Sequence, residues 1–178
     1  MRNTPAMYGG LVQMCQAIRN RFPHDPLVVV EVGAYAGEGS EILLQHISNC
    51  SLHCIDPWKS GYDANDPASH TNMEMVEKRF DRWAATATGV HKHKGVSVDF
   101  SSLPQFQKVD VVYIDGAHTH KDTLHDILFW LPRTTKAICG HDYGFSHDHW
   151  LGGVTKAVHE TLGTPDVVCA DSSWIKWV

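Results

Sequence analysis

With 178 residues, 43% of them hydrophobic, the chain is long enough for one compact α/β core and too short for two ordinary domains. Its net charge of -5, from 15 Lys+Arg against 20 Asp+Glu, lacks the broad basic footprint that follows a phosphate backbone and argues against nucleic acid as a partner. No run approaches the roughly 18 apolar residues of a membrane span, Met1-Arg2-Asn3-Thr4 has no signal-peptide character, and five cysteines without a CxxC pair read as reduced thiols, so a soluble cytoplasmic protein is expected.

Residues 1–26 are expected to form an N-terminal helical segment. In it, Tyr8 to Phe22 places Leu11, Val12, Met14, Cys15, Ile18 and Phe22 at helical spacing, and Pro23 and Pro26 stop the helix. Leu27 to Gly33 reads as a buried strand, Glu38 to Ile47 as a helix and Ser51 to Asp56 as a second strand, a βαβ unit. The polar stretch Pro57 to Ser69 leads into a helix from about Asn72 to Ala85, with Met75, Val76, Phe80 and Trp83 on one side. Residues 57–88 therefore read as an insertion on the substrate side.

His91-Lys92-His93-Lys94 reads as a short edge strand with its polar side in water, and Val109 to Asp115 as a central strand covered on both faces. Thr119 to Leu131 is helical up to Pro132, Thr135 to Asp142 is the fifth strand, and Val154 to Leu162 is a helix stopped by Gly163. The tail, Pro165 to Val178, holds two β runs around Ala170-Asp171-Ser172-Ser173, a hairpin signal. The expected architecture is one α/β domain over residues 1–178, with a mostly parallel sheet and helices on both faces.

Four of the apolar runs finish in a carboxylate: Glu31, Asp56, Asp115 and Asp142. Acids gathered at one edge of a parallel sheet build an anionic ligand site. The loop after the first strand, Glu31-Val32-Gly33-Ala34-Tyr35-Ala36-Gly37-Glu38-Gly39-Ser40, is GxxxGxG and not the GxGxxG that receives a dinucleotide pyrophosphate. Acids at Glu31 and Glu38 suit a ligand that is cationic at this end, and Asp56 stands where a carboxylate can take both ribose hydroxyls. A positively charged nucleoside without phosphates is S-adenosylmethionine. Gly33 and Gly37 equally suit a tight turn, and Glu31 equally suits holding nearby amides.

With the E-x-G-x-x-x-G loop at Glu31 to Gly37, the acid at Asp56, Ile114-Asp115-Gly116-Ala117-His118 and Gly140-His141-Asp142-Tyr143, the chain resembles the class I methyltransferases. Within them it is similar to the metal-dependent small-molecule O-methyltransferases of the catechol, sugar and macrolide type. The resemblance implies a Rossmann-like, seven-stranded sheet in the order 3-2-1-4-5-7-6 with a reversed seventh strand. It also implies that Glu31 and Gly33 face the methionine moiety, with Tyr35 and Gly37 in the same loop, that Asp56 faces the ribose, and that Gly95-Val96-Ser97 faces the adenine. Asp115, His141 and Asp142 are then expected to hold a divalent metal, and Asp115 to serve cofactor and catalysis alike.

In similar enzymes the metal is usually magnesium, whereas an imidazole at His141 favours manganese, iron or zinc. His141 could instead orient Asp142 without touching metal. His118 stands where relatives carry a catalytic lysine and could accept the substrate proton, or it could be an ordinary hydrogen-bonded histidine. Asp115 could also cap the following helix, although Thr119 is nearer for that task. His147-Asp148-His149 reads as solvated surface or a substrate lid, and Tyr35, Trp58, Tyr143 and Trp150 as ring platforms or core aromatics.

The expected function is S-adenosylmethionine-dependent O-methylation of a small-molecule or sugar hydroxyl, assisted by a divalent metal, by a chain that could form a homo-oligomer. Two alternatives stay open. One is a nicotinamide-dependent oxidoreductase or other nucleotide-binding module, disfavoured by the missing GxGxxG, and the other is an S-adenosylmethionine-binding scaffold without catalysis. A nucleic-acid adenine methyltransferase is disfavoured because Asp56-Pro57-Trp58 lacks the second proline of the DPPW type and lies after strand two.

Overall fold

The structure, a computed structural model, describes residues 8–178. The readings made on residues 1–7, the start of the N-terminal segment and its lack of signal character, lie outside the described residues. Among these residues five α-helices and seven strands follow in the order α1 (Gly9–Arg21), β1 (Leu27–Val32), α2 (Glu38–His46), β2 (Cys50–Asp56), α3 (Met73–Ala84), β3 (Val90–Lys94), β4 (Val109–Ile114), α4 (His120–Trp130), β5 (Thr134–Gly140), α5 (Gly152–Leu162), β6 (Val167–Val168) and β7 (Trp174–Trp177).

The strands form one sheet in the order β3-β2-β1-β4-β5-β7-β6. All pairings from β3 to β5 are parallel, and β7 runs antiparallel to β5 and to β6. This is the expected order, reversed strand included. The alternation of side chains along each strand divides the core in two. Val29, Leu52, Val111 and Cys139 pack with α1, α2 and Phe80 of α3 on one face, whereas Val30, Val112, Ile138 and Trp174 pack with Ile127, Trp130 and Ala157 on the other. All five cysteines carry free thiols, and Cys15, Cys54 and Cys139 are buried.

Local chemistry sets the element ends. The side chain of Asn72 caps α3 by accepting from the Met75 amide at 3.2 Å, and Thr119 caps α4 by accepting from the Asp122 amide at 3.1 Å. Thr119 therefore performs the capping task, and Asp115 is left for another. On α3 the buried apolar residues are Met73 and Phe80, while Met75 is 57% exposed, so the expected stripe starts two residues earlier.

Edge strand β3 is less open than its polar sequence suggests. Lys92 pairs with Glu77 and Asp81 of α3, Lys94 pairs with Glu77, and His93 meets the ring of buried His53 at 3.0 Å. No helix among the described residues is long and apolar enough to cross a membrane.

Candidate active site

Parallel register brings the strand ends together. Val32 of β1 pairs with Ile55 of β2 and Ile114 of β4, and Ile114 pairs with Gly140 of β5, so Gly33, Asp56, Asp115 and His141 all leave the sheet at one edge. The chain passes close to itself there. A Cβ on Gly33, at φ +92, would stand 2.0 Å from the Asp115 carbonyl oxygen, so only glycine lets the β1 loop cross the end of β4. Tyr35 (φ 45), Trp58 (φ 43) and Asp142 (φ 60) also lie in the left-handed region, an uncommon conformation for such residues that here collects at the edge.

Asp56 organises two of these turns. One carboxylate oxygen accepts from the Tyr35 amide at 2.9 Å and the other from the Trp58 amide at 2.6 Å. Burial raises the Asp56 carboxyl above its ordinary pKa, and the two amides oppose that shift.

A cavity of about 300 Å³ opens at this edge. It is lined by Val32, Gly33 and Tyr35 after β1, Ile55, Asp56, Pro57 and Tyr62 after β2, Gly95 to Val98 after β3, Asp115, Gly116 and Ala117 after β4, and Asp122, His125 and Asp126 of α4. Four carboxylates line it, and no lysine or arginine does.

Beyond the cavity, ligand atoms of Asp115, His118 and Asp142 lie within 4.8 Å of one another. The Nε2 atom of His118 sits 3.0 Å from the Asp142 carboxylate, and His141 Nδ1 approaches the other Asp142 oxygen at 3.1 Å. Tyr113 donates its hydroxyl to Asp115 at 3.0 Å. Buried Asp63, from the loop after β2, accepts the His118 backbone amide at 3.0 Å, while His118 Nδ1 is enclosed without a hydrogen-bond partner among the described residues.

Burial opposes charge on Asp142, but hydrogen bonds from His118 and His141 prevail and hold its carboxyl well below the usual range. Burial likewise works against charge on both imidazoles, yet Asp142 and Asp115 raise His118 and lift His141 to about 9. Burial raises Asp115, an effect that His141 and His118 offset and Asp142 reinforces.

Of the expected cofactor residues, Gly33, Tyr35, Asp56, Ser97 and Asp115 line the cavity. Glu31 does not, which corrects the expectation that its side chain faces a ligand. It precedes the last residue of β1, so the strand pleat turns it to the face of Val29, where it is 1% exposed and takes a hydrogen bond from Ser40. Gly37 is also absent from the lining. At φ +90 it begins α2 and lies against Trp83.

The fifth strand ends at Gly140 rather than Asp142, whose left-handed backbone breaks the extended run. Of the residues expected to hold a metal, Asp115 and Asp142 converge with His118, whereas His141 meets Asp142 through its Nδ1 at 3.1 Å. Trp150, 41% exposed, stands edge-on to His118 with centroids 5.2 Å apart, and Phe145 stacks on His149 beside it. The sequence reading passed over Asp63, Tyr62 and Asp126. For Asp126 a signal existed: with Asp122 it forms an i,i+4 acidic pair on one face of α4.

A family model described as a methyltransferase domain matches residues 30–143, more than half of the chain. The comparison with curated proteins returns no match. Among solved structures, a Staphylococcus aureus protein provisionally described as a caffeoyl-CoA O-methyltransferase has a similar fold, with a TM-score of 0.67 and 13% identity over 94% of this chain and 81% of that one. CalS11, a calicheamicin methyltransferase, gives a TM-score of 0.65 and 12% identity over 93% and 77% of the two chains. The SAH-bound Podospora anserina methyltransferase PaMTH1 gives 0.58 and 13% over 93% and 76%. At these identities the likeness speaks for the fold.

Proposed function

The chain belongs to the methyltransferase domain family, and on that premise we propose that it methylates a hydroxyl of a small molecule or sugar with S-adenosylmethionine. The observation that carries this reading is the double position of Asp115, which lines the cavity and also belongs to the Asp115–His118–Asp142 cluster. A cavity with four carboxylates and no lysine or arginine suits a sulfonium nucleoside and suits a dinucleotide pyrophosphate poorly, which counts against a nicotinamide cofactor. Gly33 would border the methionine moiety, Asp56 the ribose and the Gly95 to Ser97 turn the adenine, leaving the sulfonium methyl toward Asp115. Two of the structural relatives are named for methylating oxygen, in accord with a hydroxyl acceptor.

In the transfer, the acceptor oxygen forms a bond to the methyl carbon as the carbon–sulfur bond breaks, and the cofactor leaves as the neutral thioether. The His118–Asp142 pair takes up the hydroxyl proton: the neutral His118 ring donates its Nε2 hydrogen to the Asp142 carboxylate, which stabilises the imidazolium formed when the ring is protonated. Asp63 fixes the His118 backbone, and Trp150 offers a flat face beside it for the acceptor ring.

The same donors fit a divalent ion, because two carboxylates and one imidazole converge with ligand atoms within 4.8 Å of one another. Asp115, His118 and Asp142 would hold it, and one imidazole among oxygen ligands favours manganese, iron or zinc over magnesium. When bound, such an ion would acidify the acceptor hydroxyl and fix its position. The 3.0 Å contact between His118 and Asp142 favours a second reading, in which the pair works as a metal-free base.

The test combines calorimetry with S-adenosylhomocysteine and NAD and a product-mass screen of hydroxylated acceptors, with and without chelator. Binding of S-adenosylhomocysteine and a mass gain of one methylene are expected, and Asp142→Ala should retain cofactor affinity while losing about a hundredfold or more in transfer. Binding of NAD alone overturns the reading, and binding without transfer to any acceptor leaves a scaffold. Activity that survives chelation selects the metal-free pair.

A further inference from the structure

Edge strand β3 carries a set of imidazoles that the methyl-transfer site does not use. The alternation in His91-Lys92-His93-Lys94 sends both lysines to the acids of α3 and both histidines to the opposite side of the strand. His91 stands directly across from His53 of β2 in the parallel register, so three imidazoles share one patch. The His53 ring stacks on that of His91 with centroids 4.6 Å apart and on that of His93 at 5.2 Å. None of the three lines the cavity.

His53 is the one buried histidine among the described residues, at a position where an aliphatic side chain would pack without polar atoms to satisfy. Its Nδ1 faces His93 Nε2 at 3.0 Å, and its Nε2 lies 3.4 Å from the Ser51 hydroxyl. Phe106 stands edge-on to His53 and His93 at 5.3 and 5.0 Å and closes the inner side, while the exposed His91 leaves the outer side to solvent.

Two imidazole nitrogens on one tetrahedral zinc lie about 3.4 Å apart, so the His53–His93 pair would open by only about 0.4 Å to admit such an ion. The ring hydrogen now between the two nitrogens must then move to the far nitrogen of its own ring. For His53 that is Nε2, beside the Ser51 hydroxyl, and a metal-bound imidazole is commonly held by such a partner. Burial, reinforced by the neighbouring imidazoles, lowers His53 to about 4 and lowers His93 as well, so both rings are neutral near pH 7. Neutral imidazole is the form that binds metal.

We propose that His53, His91 and His93 form a transition-metal site separate from the methyl-transfer site, with the ion between His53 Nδ1 and His93 Nε2. The His91 ring, stacked on His53 but exposed, turns in as the third ligand without moving the core, and solvent fills the fourth position. Three nitrogen donors suit zinc, copper or nickel and not magnesium or calcium. The ion would staple β3 to β2 and, through the contact of His93 with Phe100, steady the chain that follows β3.

Calorimetry with Zn2+ on the untagged full chain carrying Asp142→Ala, which disables the Asp115–His118–Asp142 cluster, tests this. One ion per chain should bind. Adding His91→Ala, at an exposed position that leaves the core intact, or His93→Gln should weaken binding about a hundredfold, and Ser51→Ala about tenfold. Alanine at both His147 and His149 should leave the affinity unchanged. Nitrogen NMR of the histidine rings gives a readout without any substitution in the patch: Zn2+ should shift His53, His91 and His93 together. A chain that binds no Zn2+, an affinity that survives His91→Ala or His93→Gln, or one that vanishes with His147 and His149 overturns the proposal.

Discussion

Glu31 shows how much a single pleat decides. Its carboxyl lies inside the core with hydrogen bonds from Ser40 and the Cys54 thiol, and burial pushes its pKa to about 8. The folded chain thus favours the protonated acid. A carboxyl raised in this way contributes stability that is whole below the unfolded value near 4.5 and is lost as pH climbs through about 8. Glu31→Gln, which imitates the neutral acid, should remove a slope of about 1.4 kcal/mol per pH unit across that window. Urea unfolding of wild type and variant at pH 5, 6.5 and 8 measures it, and parallel curves would mean that Glu31 is ionised in the fold. The motif made the residue conspicuous, but which face it takes could not be read, because the neighbouring positions of β1 are apolar on both faces.

Among the elements, α1 depends on the far end of the chain. Tyr8 provides no side-chain cap, and the Leu11 amide is taken instead by Asp171 Oδ2 at 2.8 Å, with Oδ1 accepting from the Ser173 amide at 3.1 Å. One carboxylate therefore caps a helix and shapes the turn before β7. Asp171→Ala should cost about 1–2 kcal/mol and lower Tm by about 2–8 °C, with faster amide exchange in the first turn of α1. Unchanged exchange there would show that water replaces the cap. The loop after β2 follows the same logic, since Asp63 holds it to His118 across 55 positions of sequence. The helices and their spacing were legible because each carries its own apolar period. Asp63 and Asp171 were not, because their partners come from other elements and leave no local pattern.

At the scale of the molecule, the strand order, the reversed β7 and the gathering of Asp56, Asp115 and Asp142 at one edge agree with what the motifs implied. That both His118 and His141 would contact Asp142, one at each carboxylate oxygen, could not be read from the motifs. The two margins of the sheet carry a further consequence. On one side Lys92 and Lys94 of β3 are tied down to α3, and on the other β6 is only two residues long. An uncovered strand invites a second chain to pair along it, and charged lysines or extreme shortness prevent that. Replacing Lys92 and Lys94 together by valine should raise light scattering of concentrated solutions well before any change in secondary structure. Resistance to aggregation is thus built into the same two strands that finish the sheet.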